Sequence, residues 1–434
     1  MDRFVICGGN PLVGTIRVSG AKNSALPCMA AAILTDDEVT LENIPRVRDI
    51  ETERRLLSSM GAEVELHEGE FEDRTTISCR TLSDPVARYE IVKTMRASSL
   101  VLGPLIARTG AARVAMPGGC AIGGRPIDLH IKGLEKMGAE IVQEHGYLEA
   151  RASRLRGAHL VFDKITVTGT EDLLMAAVLA EGESLMENCA REPEVVDLAA
   201  LLIAMGAKIE GAGTGIIRVR GVSSLHGARY RINPDRIEAG TFLIAGAITG
   251  GDLTVANCNP EHLGAVIGKL REAGAGVEVL GPDAARVHSA AQLRAADIST
   301  EEYPGFPTDM QAQYMALATQ AEGVSQVSEN IFENRFMHVQ ELVRMGANIK
   351  VDGKTAAVRG PARLSAAAVM CSDLRASASL VLAALVADGE TIVDRVYHMD
   401  RGYERIEEKL SSVGAQIQRL GNIFAPRAEK VLAN

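Results

Sequence analysis

The sequence has no tryptophan, and aromatic residues make up only 3% of its 434 positions. Proteins that bind single-stranded nucleic acid usually stack the bases on aromatic side chains, so this composition disfavours that function. The formal net charge of -10 disfavours a protein that wraps nucleic acid, because neutralising phosphates requires lysine and arginine. We therefore expect no nucleic-acid partner.

Cysteine is scarce and follows no pattern. The seven cysteines stand at positions 7, 28, 79, 120, 189, 258 and 371, and the sequence has no CxxC motif or Cys/His cluster. Structural zinc sites use such clusters, so we expect no metal centre. Unpaired thiols are typical of a reducing compartment, and the sequence shows neither a secretory signal nor a membrane-spanning apolar run. These features predict a cytoplasmic protein without membrane insertion.

An internal repeat is the clearest positive feature. A Gly-Ala pair stands six times between a helical pattern and an alternating pattern, at spacings of 77, 68, 68, 72 and 68 residues. The six glycines are Gly61, Gly138, Gly206, Gly274, Gly346 and Gly414. Glycine commonly follows the last residue of a helix, and alternation predicts a strand. Each unit also has one Ala/Leu-rich helix, predicted to be buried, and one amphipathic helix.

Six such units predict an α/β protein of two domains with three units each. The apolar helices should lie inside, with sheets around them and three-fold pseudosymmetry in each domain. A generic α/β solenoid is the alternative, although solenoid repeats are usually about 20–45 residues long. The 434 residues agree with at least two domains.

Charged residues recur at one position of the repeat. The start of the apolar helix carries a charge in four of the six units: Lys22, Arg96, Asp309 and Arg375. A buried unpaired charge is costly, and a cation also opposes the helix dipole at that end. If these helix starts converge, they form a site for phosphate or carboxylate. The alternative is that these are paired or capping charges on the surface.

Three arginines occupy equivalent loops before the amphipathic helices: Arg125, Arg335 and Arg401. Their planar guanidinium groups suit two-point contacts to phosphate and carboxylate. Asp309 is the one acid in the helix-start register. In a basic cleft it would stay ionised and act as a general base or hydroxyl anchor. The alternative for Asp309 is a plain helix N-cap.

Several long motifs carry a family resemblance. They are SGAKNSALP (19–27), KTMRAS (93–98), PGGCAIGGRPIDLHI (117–131), FPTDMQAQ (306–313), ENRFMHV (333–339), DLRASASLVLA (373–383) and DRGYERIEEKL (400–410). Together they resemble the enolpyruvyl transferases that act on UDP-N-acetylglucosamine, along the whole chain. The resemblance implies two inside-out α/β barrel domains, one of residues 22–233 and one of residues 1–21 plus 234–434.

The resemblance also implies a reaction. Enolpyruvyl would pass from phosphoenolpyruvate to the 3'-hydroxyl of UDP-N-acetylglucosamine, with release of phosphate, by addition and elimination through a tetrahedral ketal. This is the first committed step of peptidoglycan synthesis. It requires no cofactor, which agrees with the lack of a dinucleotide-binding fingerprint.

Residue roles follow from the resemblance, motif by motif. Cys120 is implied as the proton donor and the site of a covalent phosphoenolpyruvate adduct, with Asp309 and Asp373 as the other catalytic residues. The residues implied to bind phosphoenolpyruvate are Lys22, Arg125, Arg375 and Arg401, with Arg335 in support. Those implied to bind the nucleotide sugar are Asn23, Arg96, Arg125, Pro126, Ile127, Asp128, Leu129, Lys164, Ile165, Thr166, Val167, Asp309 and Ile331.

Two other functions stay open on this fold. One is the sibling enzyme that uses shikimate 3-phosphate, and the other is a non-catalytic nucleotide-sugar sensor. Cys120 itself has a simpler alternative as a small apolar core residue. However, the glycines of MPGGCAIGGRP allow close backbone approach to a ligand, and neighbouring cations favour a reactive thiolate. We therefore expect Cys120 to react with a small anionic epoxide of the fosfomycin type.

Overall fold

The computed structural model describes residues 2–69, 73–116, 127–288 and 292–421. Three of the predicted site residues, Cys120, Arg125 and Pro126, lie outside these ranges. No helix in the described part of the chain is long and apolar enough to cross a membrane.

Within the described ranges the strands are short, mostly of three to six residues, and are numbered along the chain. They are β1 (Arg3–Cys7), β2 (Val13–Arg17), β3 (Val39–Ile44), β4 (Glu63–His67), β5 (Asp73–Ser78), β6 (Val86–Ala87), β7 (Ala111–Ala115), β8 (Glu140–Glu144), β9 (Tyr147–Arg151), β10 (His159–Val161), β11 (Glu183–Glu187), β12 (Lys208–Glu210), β13 (Ile216–Arg220), β14 (Arg229–Arg231), β15 (Asp252–Ala256), β16 (Gly276–Val279), β17 (Ala284–His288), β18 (Ile298–Ser299), β19 (Gly323–Ser328), β20 (Asn348–Asp352), β21 (Thr355–Gly360), β22 (Ala368–Met370), β23 (Glu390–Asp394) and β24 (Gln416–Leu420).

The α-helices alternate with these strands. They are α1 (Lys22–Ala31), α2 (Arg48–Ser59), α3 (Tyr89–Val92), α4 (Leu102–Thr109), α5 (Asp128–Lys136), α6 (Val167–Ala177), α7 (Pro193–Ala204), α8 (Arg236–Ile248), α9 (Gly264–Glu272), α10 (Gln311–Ala318), α11 (Val339–Arg344), α12 (Leu374–Ala384) and α13 (Ile406–Ser411). Short 3-10 helices precede some of them, at Arg96–Val101, Pro260–Leu263, Thr308–Met310 and Val396–Arg401, and one follows α1 at Ala32–Leu34.

The strands of the described ranges form six sheets of four strands, and all six share one pattern. In the sheet β10-β11-β13-β12, for example, β10 pairs with β11 in parallel, and the other pairs are antiparallel. The six repeated glycines all have φ between 91° and 104°, a left-handed conformation that glycine adopts without a steric cost. The predicted repeat of helix, glycine and strand is therefore confirmed as a mixed α/β fold.

The start of the chain contributes strands to sheets of its second half. Strand β1 lies between β23 and β24 and is antiparallel to both, and β2 pairs in parallel with β15. The segments 19–21 and 233–235 lie side by side. Ala21 N–H donates to Asn233 O at 2.7 Å, and Asp235 N–H donates to Ser19 O at 2.9 Å.

Buried apolar residues form two clusters. One draws its residues from positions 21 to 232, and the other from positions 4–18 and 237–415. The Ala/Leu-rich helices lie within these clusters: in α1 every residue except Asn23 is buried, and in α8 every residue after Arg236 is buried. Burial of these helices was predicted from their uniformly apolar sequences, and the structure confirms it.

Candidate active site

The recurrent charges stand at helix starts, as the repeat predicts. Lys22 is the first residue of α1, and Arg375 is the second residue of α12. Arg96 begins the 3-10 helix that leads into α4, and Asp309 lies in the 3-10 helix that leads into α10.

Lys22 and Arg401 meet at one carboxylate, that of Asp49. Lys22 Nζ lies 3.1 Å from Asp49 Oδ2, and Arg401 donates from Nε to Asp49 Oδ1 at 2.9 Å and from Nη2 to Oδ2 at 3.3 Å. Lys22 and Asp49 are buried, whereas the Arg401 side chain is 35% exposed. Two cations from distant parts of the chain are thus held together by one buried acid.

The electrostatics of this cluster favour bound anions. Burial lowers the pKa of Lys22, opposed by Asp49, and the positive charges of Arg375 and Arg401 lower it further. Burial alone would raise the pKa of Asp49, but Lys22 and Arg401 outweigh burial and hold it below its ordinary value. The effect of Arg375 on Lys22 places a third cation close to the pair.

Asp309 lies between two buried arginines. Arg335 Nη2 donates to Asp309 Oδ1 at 2.7 Å, and Arg375 Nε donates to Oδ2 at 3.2 Å. Within the described residues, the Nη1 atoms of both arginines are buried and have no hydrogen-bond acceptor. A buried donor without an acceptor costs about 1–3 kcal/mol, so both arginines are suited to bind a further anionic group.

Arg375 is supported from behind by Tyr403. The guanidinium carbon lies 5.3 Å from the centre of the Tyr403 ring, an arrangement that stabilises a cation. The Tyr403 hydroxyl accepts from Gln313 Nε2 at 3.1 Å, and Gln313 Nε2 also donates to Asp309 O at 2.8 Å. Asp309 and Arg375 are therefore joined through the protein interior as well as directly.

Asp373 lies beside this group as a helix cap. Its Oδ1 accepts from the backbone N–H groups of Arg375 and Ala376 at 2.9 and 3.0 Å, which makes it the N-cap of α12. The N-cap alternative considered for Asp309 is wrong, because Asp309 accepts from arginine side chains and α10 has no side-chain cap. Asp373 is an N-cap, but of α12 and not of α10.

Two of the segments predicted to contact the nucleotide sugar lie next to each other. His130, just after Ile127–Leu129, contacts Asp172 Oδ2 through Nδ1 at 3.0 Å and Thr168 Oγ1 through Nε2 at 3.3 Å. Thr168 directly follows Lys164–Val167 in the chain, so the buried His130 links the two segments. A groove of about 420 Å³ beside them is lined by residues that include Leu129 and Asp163.

The remaining predicted contacts differ in exposure. Asn23, Arg96 and Ile331 are half-buried, and Lys164 and Asp128 are exposed. Thr166 caps α6 by accepting from Gly169 N–H at 3.2 Å. A larger groove of about 570 Å³ is lined by residues of α9, β18 and β19, and none of its lining residues belongs to the predicted site.

Sequence reasoning missed three residues that organise the site: Asp49, His130 and Tyr403. Each is a polar residue at a buried position, and His130 and Tyr403 stand inside the motifs quoted above. The partners of Asp49 lie 27 and 352 positions away, a separation that local periodicity does not reveal. One signal was available, because a buried lysine requires an acid nearby.

The assembled site concentrates positive charge around a few fixed carboxylates. Such an arrangement is suited to a small ligand with more than one anionic group and to charge that shifts during a reaction. No group of three or more His, Cys, Asp or Glu side chains in the described part of the chain could hold a metal ion.

The chain is similar to known proteins in both sequence and structure. Residues 6–410 match the family model described as EPSP synthase (3-phosphoshikimate 1-carboxyvinyltransferase). The protein named UDP-N-acetylglucosamine 1-carboxyvinyltransferase from Acidobacterium capsulatum is 78% identical over 99% of this chain and 98% of its own length. The relative of the same name from Koribacter versatilis is 70% identical over 99% of both chains.

Solved structures agree. The enolpyruvyl transferase NikO from Streptomyces tendae matches with a TM-score of 0.86 at 26% identity, over 96% of this chain and 99% of its own. EPSP synthase from Acinetobacter baumannii matches with a TM-score of 0.75 over 97% and 100% of the two chains, but at 18% identity it shows the fold alone. The chain therefore belongs to the enolpyruvyl transferases, among the UDP-N-acetylglucosamine 1-carboxyvinyltransferases.

Proposed function

We propose that the protein transfers enolpyruvyl from phosphoenolpyruvate to the 3'-hydroxyl of UDP-N-acetylglucosamine and releases phosphate, the first committed step of peptidoglycan synthesis. The observation that carries this proposal is the meeting of Arg335 and Arg375 at Asp309, next to Lys22 and Arg401. The relatives at 57–78% identity, all named for this reaction, support it.

Phosphoenolpyruvate carries a phosphate and a carboxylate, and the site offers a surplus of cations for both. Lys22, Arg375 and Arg401 would bind these groups, together with Arg125, which lies outside the described residues. The buried Nη1 atoms of Arg335 and Arg375 supply donors that no described residue uses. Binding two anionic groups would fix the orientation of the reacting carbon atoms.

The addition step requires one proton to leave an oxygen and another to reach a carbon. Asp309 would accept the proton of the sugar 3'-hydroxyl, or orient that hydroxyl, as its oxygen attacks C2 of phosphoenolpyruvate. Cys120, outside the described residues, would deliver a proton to the C3 methylene. The product is a tetrahedral ketal with a new methyl group.

Elimination completes the transfer. The C2–O bond to phosphate breaks, phosphate leaves with the bonding electrons, and a methyl proton is lost, which restores the carbon–carbon double bond. Cations around the phosphate stabilise its departing charge. Asp373, which fixes the backbone at Arg375, is the third proposed catalytic residue and would act beside this group.

The nucleotide sugar would lie along the segments that His130 joins. Ile127, Asp128 and Leu129 would contact it on one side, and Lys164–Val167 on the other, with Arg125 and Pro126 adjacent in sequence. Asn23, Arg96, Asp309 and Ile331 complete the proposed set. The groove of about 420 Å³ beside Leu129 and Asp163 supports this placement.

We also propose the finer architecture, namely two inside-out α/β barrel domains of residues 22–233 and of residues 1–21 plus 234–434. The two separate apolar clusters support this division, although Ala21 packs with the first. A cytoplasmic location stays a prediction, which the six described cysteines, all free thiols, support.

Phosphate release with alternative acceptors tests the function. We expect release when phosphoenolpyruvate is combined with UDP-N-acetylglucosamine. The family model is described by the shikimate reaction, so shikimate 3-phosphate is the second acceptor to test. Release with shikimate 3-phosphate alone would overturn the proposal, and binding of both substrates without turnover would identify a sensor.

Alkylation tests the role of Cys120 separately. We expect a small anionic epoxide of the fosfomycin type to label Cys120 and phosphoenolpyruvate to protect it, with adducts located by mass spectrometry. Cys7→Ala is the matched control, because Cys7 is the one described cysteine that is not fully buried. Labelling that disappears in Cys7→Ala and persists in Cys120→Ala would contradict the assignment.

A further inference from the structure

Glu329 is a buried carboxylate that follows strand β19 directly. It is 1% exposed, and its oxygens accept hydrogen bonds from four groups. Oε1 accepts from Thr300 Oγ1 at 3.0 Å and from the backbone N–H groups of Ile331 and Phe332 at 3.0 and 3.1 Å. Thr308 Oγ1 lies 3.0 Å from Oε1 and 2.9 Å from Oε2.

These bonds join three segments that are distant in sequence. Thr300 follows β18, Thr308 begins the 3-10 helix that carries Asp309, and Ile331 lies in the loop before α11. Burying a carboxylate costs free energy unless hydrogen bonds satisfy it, and an apolar residue would fill the same space without that cost. Glu329 therefore contributes to the structure by placing its two carboxylate oxygens where they accept hydrogen bonds from all three segments.

The loop 329–335 is held at both ends by neighbouring residues. At its start, Glu329 accepts from Thr308, and at its end Arg335 donates to Asp309 at 2.7 Å. Asn330 strengthens the start, because its backbone N–H donates to Thr300 Oγ1 at 2.9 Å. The loop and the Thr308–Asp309 pair thus form one closed ring of contacts.

We propose that Glu329 is a positioning residue for the reaction. Through Thr308 and the backbone at Ile331, it fixes the position of Asp309 relative to the nucleotide sugar, which Asp309 and Ile331 contact in the proposed function. This rests on the proposed function, in which Asp309 and Ile331 face the nucleotide sugar. Glu329 acts through its neighbours and touches neither substrate.

A positioning role for Glu329 predicts different effects on the KM values of the two substrates. A misplacement of about 1 Å at a reacting group can cost about 100-fold in rate, so loosening Asp309 should lower kcat and raise KM for UDP-N-acetylglucosamine. The cations Lys22 and Arg401 are held by Asp49, on another part of the chain. Arg335 and Arg375 contact Asp309 directly, so KM for phosphoenolpyruvate should also rise, but by a smaller factor than KM for UDP-N-acetylglucosamine.

Two substitutions of Thr308 test its hydrogen bond to Glu329. Thr308→Val removes the hydroxyl and keeps the side-chain shape, whereas Thr308→Ser keeps the hydroxyl. We expect Thr308→Val to lower kcat about 10-fold and Thr308→Ser to stay within about twofold of wild type. Thr319→Val, a buried threonine just after α10 whose hydroxyl donates to Ala316 O, controls for the loss of a buried hydroxyl elsewhere.

Glu329→Leu tests the carboxylate itself, because it keeps a side chain of similar size and removes both oxygens that accept from Thr308 and from the Ile331 and Phe332 N–H groups. It should lower kcat at least as much as Thr308→Val with the same split between substrates. Equal kinetics for Thr308→Val and Thr308→Ser, an equal rise in both KM values, or an equal loss in Thr319→Val would each overturn the proposal.

The proposed function and the positioning role can fail separately. If wild-type protein shows no turnover, the proposed function fails, and hydrogen exchange then decides the positioning role without substrate. Faster exchange of the Ile331 and Phe332 amides in Thr308→Val than in Thr308→Ser supports the role, and equal exchange overturns it.

Discussion

The charged side chains of the proposed anion site are each held in place by an oppositely charged partner. Lys22 is buried at the start of an apolar helix, where a cation opposes the helix dipole. Asp49 compensates that cost and brings Arg401 to the same place. Removing one member of a buried pair usually costs more than the pair contributes, because the other charge stays uncompensated.

Asp49→Asn tests this dependence. We expect the free energy of unfolding to fall by about 3 kcal/mol, because Lys22 loses its buried counter-charge. Urea unfolding measures the change. Glu51→Gln on the same helix is the control: its pair with Arg54 is partly exposed, so the change should stay below about 1 kcal/mol. Equal effects of the two substitutions would contradict the prediction.

Glu53 should make stability depend on pH. It lies one turn after Asp49 on α2, both carboxylate oxygens are buried without a partner among the described residues, and burial with the nearby Asp49 charge raises its pKa from 4.5 to about 8. Below pH 4.5 it is protonated whether the chain is folded or unfolded. Between pH 4.5 and 8 the folded state binds more protons, so its stability falls as pH rises.

Glu53→Gln should remove this contribution. We expect the variant to gain stability relative to wild type as pH rises from 5 to 8, by up to about 1.4 kcal/mol for each pH unit. Chemical unfolding at a series of pH values measures the difference. A constant difference between variant and wild type over this range would contradict the assignment.

At the scale of elements, three of the described buried helices begin with a side-chain cap, and in α12 the cap stands beside a residue of the proposed site. Asp373 caps α12, Asp235 caps α8 and Thr166 caps α6 with their side chains. In α12 the next helical residues include Arg375, so one turn of backbone positions both the capping acid and a cation of the proposed site. An N-cap of this kind typically contributes about 1 kcal/mol.

Asp373→Asn and Asp373→Ala separate the two roles. Asparagine keeps an acceptor oxygen for the cap, so we expect a stability change below about 0.5 kcal/mol, whereas alanine should cost about 1 kcal/mol. Both should lower kcat, because both remove the carboxylate charge from the proposed site. Thermal unfolding and phosphate release measure the two effects, and full activity of Asp373→Asn would leave Asp373 with the cap alone.

The repeat explains why much of the fold could be predicted. Helix, glycine and strand follow from local periodicity, and Gly61 and Gly346 take the positive φ that their positions predict. The helix α7 shows the limit: PEVVDLAALLIA is apolar on most of its surface, and the amphipathic pattern of α2 does not describe it. It packs closely against α1, a contact that the local pattern does not specify.

The register of charges predicted a cluster that includes Lys22, Asp309 and Arg375, because a charge at the start of an apolar helix conflicts with its surroundings. The structure places Arg375 in contact with Asp309, and the binding roles of these residues stay predictions. The acids that hold the site, Asp49 and Glu329, stand at ordinary-looking positions in sequence. Their importance comes from contacts with residues far along the chain, which periodicity does not encode.

At the scale of the molecule, residues 22–233 and residues 234–434 differ in whether they contain all the strands of their own sheets. All strand partners of β3 to β14 lie between positions 39 and 231. Of the other three described sheets, one includes β1 and another includes β2, both from the start of the chain. Residues 22–233 therefore contain every described strand of their own sheets, and residues 234–434 do not.

Fragments test this asymmetry. We expect residues 22–233 expressed alone to unfold cooperatively with near-native secondary structure, and residues 234–434 alone to lack a cooperative transition. Joining residues 1–21 after residue 434 through a flexible linker should restore it. Circular dichroism during thermal unfolding measures all three, and cooperative folding of 234–434 without the added segment would contradict the domain proposal.

The position of β1 also sets an order for folding during synthesis. Ile6 pairs with Thr391, so the strand leaves the ribosome some 385 residues before its partner. At about 5–20 residues per second, it waits roughly 20–80 s, while the segment 22–233 is already complete. Such late, non-local pairing is slow and leaves an unpaired strand exposed in the meantime. The sheets that contain the first strands of the chain are therefore the last to form.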